Sequence, residues 1–169
     1  ITELTVRLHP LPEAIASALC AFPDIAAAVD TVIATIQLGI PVARIEILDT
    51  LSITAINRYS KTTLREVPTL FFELHGSPAG VAEQTAALRA LAVEHGGMDF
   101  EWADQPEDRT RLWQARHDAY YACINLQPGG RAVTTDVCVP ISRLAECIAA
   151  TRADVTLGVS RRRGLTLAR

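Results

Sequence analysis

The order in which periodicity switches between Glu13 and Ala103 constrains this chain's fold most. Glu13 to Phe22 reads as a strand with Ile15, Ser17, Leu19 and Ala21 on one face, despite alanines that sit weakly in strands. Pro23-Asp24 opens a helix whose Ile25, Val29, Val32, Ile33 and Ile36 recur at helical spacing, and Gly39 and Pro41 close it. Ala43 to Leu48 alternates again, with Ile45 and Ile47 set against Arg44 and Glu46. Asp49 caps a short helix from Thr50 to about Tyr59, and a polar loop runs from Ser60 to Val67. Pro68 to His75 is the strongest strand, with Leu70, Phe72 and Leu74 opposed to Phe71, Glu73 and His75. Ser77 and Pro78 start a helix to about Glu94, Gly96-Gly97 stops it, and Met98 to Trp102 is a strand.

This order is the split β-α-β pattern of a ferredoxin-like α+β sandwich with one inserted helix. It predicts an antiparallel sheet with helices on one face. Outside it, Ile1 to Leu8 alternates imperfectly and reads as a strand closed by Pro10-Leu11-Pro12. A long helix is expected from about Pro106 to Leu126, a strand from Arg131 to Val139 and a helix from Pro140 to Arg152. Residues 156–169 read as an irregular tail, whose triple arginine is a solvated terminus.

A net charge of −3 gives no electrostatic reason to expect nucleic acid or an anionic membrane surface as partner. No apolar run approaches the ~20 residues of a membrane span. The chain starts at Ile1 and its single methionine is Met98, so it reads as an internal piece of something longer. Cys20, Cys123, Cys138 and Cys147 form no C-x-x-C pair and are expected as buried free thiols in a reducing compartment. Neither a Ser/His/Asp order, a glycine-rich phosphate loop nor metal-ligand spacing is present.

Several stretches together carry a resemblance. They are residues 5–13 (TVRLHPLPE), 41–49 (PVARIEILD), 57–61 (NRYSK), 74–77 (LHGS), 112–117 (LWQARH) and 135–144 (TDVCVPISRL). In this order and spacing the chain resembles the FAD-linked oxidases of the D-lactate dehydrogenase and glycolate oxidase group, in their C-terminal cap domain. The resemblance implies three parts. Residues 1–12 are the last strand and exit of an FAD domain that is otherwise missing. Residues 13–155 are an incomplete substrate (cap) domain, and 156–169 depart from the family. It also implies FAD as cofactor and oxidation of D-lactate or a similar D-2-hydroxy acid to the 2-oxo acid. Cytochrome c or a quinone is the implied acceptor, and a divalent metal is possible in the full-length enzyme. The implied location is cytoplasmic or peripheral to the inner membrane in a bacterium, and mitochondrial in a eukaryote. The alternative is a stand-alone ferredoxin-like domain that binds a small acid without catalysis.

The resemblance also supplies the candidate substrate-binding residues. Arg116, in the Leu-Trp-x-x-Arg motif, is the expected grip on the substrate carboxylate, because a planar guanidinium binds a carboxylate through two parallel hydrogen bonds. Tyr120, four residues on, shares its helical side and either lines the pocket or fills the core. Thr134 stands where related hydroxyglutarate dehydrogenases carry a lysine, which argues against a second carboxylate on the substrate. His117 reads as a surface group pointing about 100° away from Arg116. Glu46 and His75 read as structural contacts, although their strand face could also front the site. Trp113 reads as a core anchor.

Overall fold

The computed structural model describes residues 2–8, 10–129, 134 and 136–162, with side chains through residue 155. Strand β1 (Ala14–Ala21) leads into α1 (Ile25–Gln37), β2 (Val42–Leu48), α2 (Thr50–Ser60), β3 (Thr69–Gly76), α3 (Pro78–Glu94), β4 (Met98–Ala103) and α4 (Pro106–Asn125). A single 3₁₀ turn at Ile141–Arg143 then precedes α5 (Leu144–Arg162). The sheet order is β2-β3-β1-β4 with every pair antiparallel, which is the ferredoxin-like topology the element order predicts.

The helix starts are set locally. Asp24, Asp49 and Ser77 each accept a hydrogen bond from a backbone N–H of the first turn they precede. Gly39 and Gly96 take positive φ values of +69° and +80° just past the ends of α1 and α3. Gly97 is required by space: a Cβ there would lie 2.6 Å from the Ala92 carbonyl oxygen and 2.7 Å from Cys20 Sγ.

Both faces of the sheet are buried. On one, Ala16, Ala18, Cys20, Leu70, Phe72 and Leu74 pack with Ala28 and Val32 of α1 and Val81, Leu88 and Ala92 of α3. Ile45 and Ile47 lie partly buried against this cluster, so β2 and β3 join in one core as the alternation predicts. On the other face, Leu19, Leu48 and Phe71 pack with Ile53 and Ile56 of α2 and with Leu112, Trp113, Ala115 and Ala119 of α4. The expectation of helices on one face therefore holds for α1 and α3 and is corrected for α2 and α4. Phe71 and Leu19 are large apolar residues on the second face, and they require a cover of their own.

Four further expectations change. Residues 2–8 form no strand, and Leu4, Val6 and Leu8 are exposed, because alternation makes a strand only where a neighbouring strand takes its N–H and C=O groups. Of the strand expected at 131–139, Thr134 and residues 136–139 lie in no element; 131–133 and 135 fall outside the described residues. The tail begins as helix, since α5 continues to Arg162, and backbone hydrogen bonding needs no apolar stripe there; 163–169 fall outside the described residues. Cys20 and Cys123 are buried free thiols as expected, but Cys138 is exposed and Cys147 only half-buried. Burial pushes the Cys20 thiol up to about 11, which makes it inert as a nucleophile.

Candidate functional site

The second face of the sheet changes character along the strands. Its middle is apolar, through Leu19, Leu48 and Phe71. One end is polar, because β2 places Arg44 and Glu46 on this face and β3 places Glu73 and His75 there. Helix α4 crosses above and adds Trp113, Arg116 and His117.

These side chains form one connected network. Glu46 Oε2 accepts a hydrogen bond from Arg116 Nε. Arg44 Nη1 lies 3.9 Å from Glu46 Oε1, and Arg44 Nη2 donates to Glu73 Oε2 at 2.6 Å. Glu73 Oε1 is 2.8 Å from His75 Nε2. The Arg44 guanidinium lies 3.6 Å over the Trp113 ring, a cation–π contact. Trp113 Nε1 donates to the buried Ser17 hydroxyl at 2.9 Å, and the exposed His117 stacks against the Trp113 ring.

The charges nearly balance. Two guanidinium groups face two carboxylates, with His75 adding charge only when protonated. Burial pushes the Glu73 carboxyl up, but the hydrogen bonds from Arg44 and His75 and their charges outweigh it and hold it below its ordinary value of 4.5. A carboxylate shifted down in the folded state stabilises that state fully above its ordinary value, and loses this effect as pH falls through the folded value. The unfolding temperature of Glu73→Gln should therefore lie below that of the wild type at neutral pH, with the gap closing as pH drops well below 4.5. A gap that stays constant across that range in thermal unfolding would show that the charge contributes nothing.

Arg116 is half-buried, with 21% of its side chain exposed. Among the described residues its hydrogen-bonding partner is Glu46, which takes the Nε edge and leaves both Nη groups without one. The end-on edge of the fork is thus the part that can receive a carboxylate. Tyr120 is 43% exposed and packs edge-on against Tyr121, so it is a surface group beside Arg116 rather than a core aromatic. Thr134 is exposed and makes no hydrogen bond to Arg116 or Tyr120 among the described residues. Arg116 and Tyr120 thus share one helical side, and no hydrogen bond ties Thr134 to either among the described residues. The partners that sequence reasoning set aside are Glu46 and His75, which stand in the same network.

A second concavity, of about 380 Å³, opens near the other end of this face between Lys61, Thr62, Arg65, Asp99, Glu101 and Arg111. An ion pair of 2.6 Å between Arg65 and Asp99 closes part of its rim.

The chain matches the family described as FAD linked oxidases, C-terminal domain, over residues 11–157. It belongs to that family. This FAD-linked oxidase domain is 48% identical over 155 residues to the probable mitochondrial D-lactate dehydrogenase of Danio rerio, covering 92% of this chain and 31% of that protein. It is 43% identical to the mitochondrial D-lactate dehydrogenase [cytochrome] of Arabidopsis thaliana, covering 92% of this chain and 27% of that one. Glycolate oxidase subunit GlcD of Bacillus subtilis is 29% identical, over 89% of this chain and 32% of the subunit. Among solved structures, alkyldihydroxyacetonephosphate synthase superposes with a TM-score of 0.60 at 14% identity, over 88% of this chain and 32% of that one, which shows a shared fold. The chain spans about a third of the length of these relatives.

The family implies FAD, and the described residues do not form a seat for its pyrophosphate. Such a seat uses free N–H groups at a helix N-terminus. Here the Asp24 and Asp49 carboxylates and the Ser77 hydroxyl already occupy the first turns of α1, α2 and α3. The first turn of α4 carries Glu107 and Asp108, and that of α5 carries Glu146, so each would repel a phosphate. No group of three or more His, Cys, Asp or Glu side chains able to hold a metal occurs among the described residues. No helix among them is long and apolar enough to cross a membrane.

Proposed function

We propose that this domain is the substrate-side part of an FAD-dependent dehydrogenase that oxidises D-lactate or a similar D-2-hydroxy acid to the 2-oxo acid. The observation that carries the proposal is Arg116, held at Nε by Glu46 with its end-on Nη edge unengaged among the described residues. A 2-hydroxy acid offers the matching group, a planar carboxylate next to the carbon that loses its hydride. Gripping that carboxylate fixes where the reacting carbon lies, which is the protein's share of such a reaction. The names of the relatives from Danio rerio and Arabidopsis thaliana support D-lactate as the acid and a cytochrome as the acceptor, with a quinone-type carrier as the alternative. They also support a mitochondrial location if the source is eukaryotic. Tyr120 lines the approach to Arg116 in this reading, and Thr134 leaves the site without the extra positive charge that a dicarboxylate would need.

In this reading the flavin is held by residues of the whole protein outside this chain, with residues 1–12 leading out of that FAD domain. The isolated chain should purify colourless, because its described residues form no pyrophosphate seat, and the product of the complete coding region should be yellow. Visible absorbance of the two preparations is the test. Stoichiometric flavin on the isolated chain, or none on the complete protein, contradicts the reading.

A further inference from the structure

We infer that Glu46 is the positioning residue for Arg116: it fixes the guanidinium so that only the end-on Nη edge meets the substrate carboxylate. The inference rests on the proposed role of Arg116. An arginine side chain turns about four torsions, and unrestrained it would present either its side-on or its end-on edge to an anion. The carboxylate of Glu46 takes Nε and so occupies the side-on edge. Glu46 is itself held in place. It projects from β2 beside Arg44, which is gripped by Glu73 at 2.6 Å and covered by the Trp113 ring at 3.6 Å. Both strands are locked in register, Arg44 opposite Glu73 and Glu46 opposite Phe71, so the orientation of Arg116 is referred to the sheet rather than to its own helix alone. Side chains of this ion pair are only 21% and 27% exposed, which shields it from salt. Glu46 also offsets the charge of Arg116, so the pocket gains orientation and gives up some attraction for anions.

This division of effects separates positioning from simple structural support. Turnover of D-lactate by the complete flavoprotein, measured with an artificial electron acceptor and expressed per bound flavin, is the test for Glu46→Leu, Glu46→Gln and Arg116→Ala. In Glu46→Leu kcat should fall at least about fivefold, since a misplacement of a substrate grip by a fraction of an ångström is costly. KM should not rise in proportion, because removal of a negative charge strengthens the pull on the anion. In Glu46→Gln, the amide oxygen still accepts from Nε, and kcat should recover in part. Wild-type kcat in both Glu46 variants beside an impaired Arg116→Ala overturns the positioning role alone. So does a loss confined to flavin content or thermal stability with kcat per flavin unchanged. An unimpaired Arg116→Ala overturns the reading of Arg116 and, with it, this one.

Discussion

Arg116→Ala in the complete protein should lower kcat/KM for D-lactate at least about tenfold, because a charge-assisted hydrogen-bonded pair contributes about 1.5–3 kcal/mol. The substitution removes the end-on fork and takes from Glu46 the closer of its two cations, leaving it only Arg44 at 3.9 Å, so more of its negative charge faces the incoming anion. Both effects act against substrate. Arg116→Lys should restore part of the loss, since an ammonium keeps the charge but cannot form two parallel hydrogen bonds. His117→Ala should change little, since His117 is exposed, stacks on Trp113 and takes no part in the Arg116–Glu46 hydrogen bond. Steady-state kinetics with an artificial acceptor checks this. A near-normal Arg116→Ala beside a crippled His117→Ala would require the two roles to be exchanged.

Trp113→Ala should be the most damaging single change to stability, at about 3–5 kcal/mol for truncating a buried aromatic. Trp113 is only 5% exposed, and its ring packs on Phe71 with centroids 5.9 Å apart. The substitution opens a cavity beneath α4, strips the cover from Arg44 and leaves the Ser17 hydroxyl, 1% exposed, without its donor. A domain stable by about 5–15 kcal/mol would lose a large part of its margin. Trp113→Phe should lose less, because the aromatic packing survives and only the Nε1 hydrogen bond is gone. Urea unfolding followed by circular dichroism should place the midpoints in the order wild type, Phe, Ala. An alanine variant with an unchanged midpoint would show that α4 is not anchored through this residue.

Much of the fold is legible in the sequence for physical reasons. Leu70, Phe72 and Leu74 alternate strictly because one face of β3 meets α1 and α3. Asp24, Asp49 and Ser77 mark helix starts because the first N–H groups need an acceptor. The two-sided sheet is harder to read. Alternating Ala16, Ala18 and Cys20 look like weak strand formers, yet small residues let helices approach the sheet closely, while Leu19 faces the other way under α4. Residues 2–8 carry a strand's alternation and no partner to pair with, and periodicity alone cannot supply one. Residues 156–162 are helical without an apolar stripe, so no periodicity announces them.

In the sequence Arg116 stands out through its motif as the proposed carboxylate grip, whereas its partner Glu46, 70 residues away, does not. A signal was nonetheless present. Arg44 and Glu46 alternate with Ile45 and Ile47 on β2, and Glu73 and His75 do the same with Leu74 on β3. Two neighbouring strands that both set charges on the same face predict a polar patch that must be paired across elements. What a single sequence leaves open is which cation from a later helix completes it. Here it is Arg116, brought over β2 because Trp113 docks on Ser17 and Phe71 of the inner strands one turn earlier.

Anaerobic mixing of the complete protein with D-lactate, followed by visible flavin absorbance, shows whether this acid reduces the flavin and whether Arg116 is needed for it. The flavin should bleach fully and one pyruvate should form per flavin, with reduction much slower in Arg116→Ala. A flavin that stays oxidised with D-lactate and with other D-2-hydroxy acids, or that bleaches equally fast without Arg116, would contradict the proposed function.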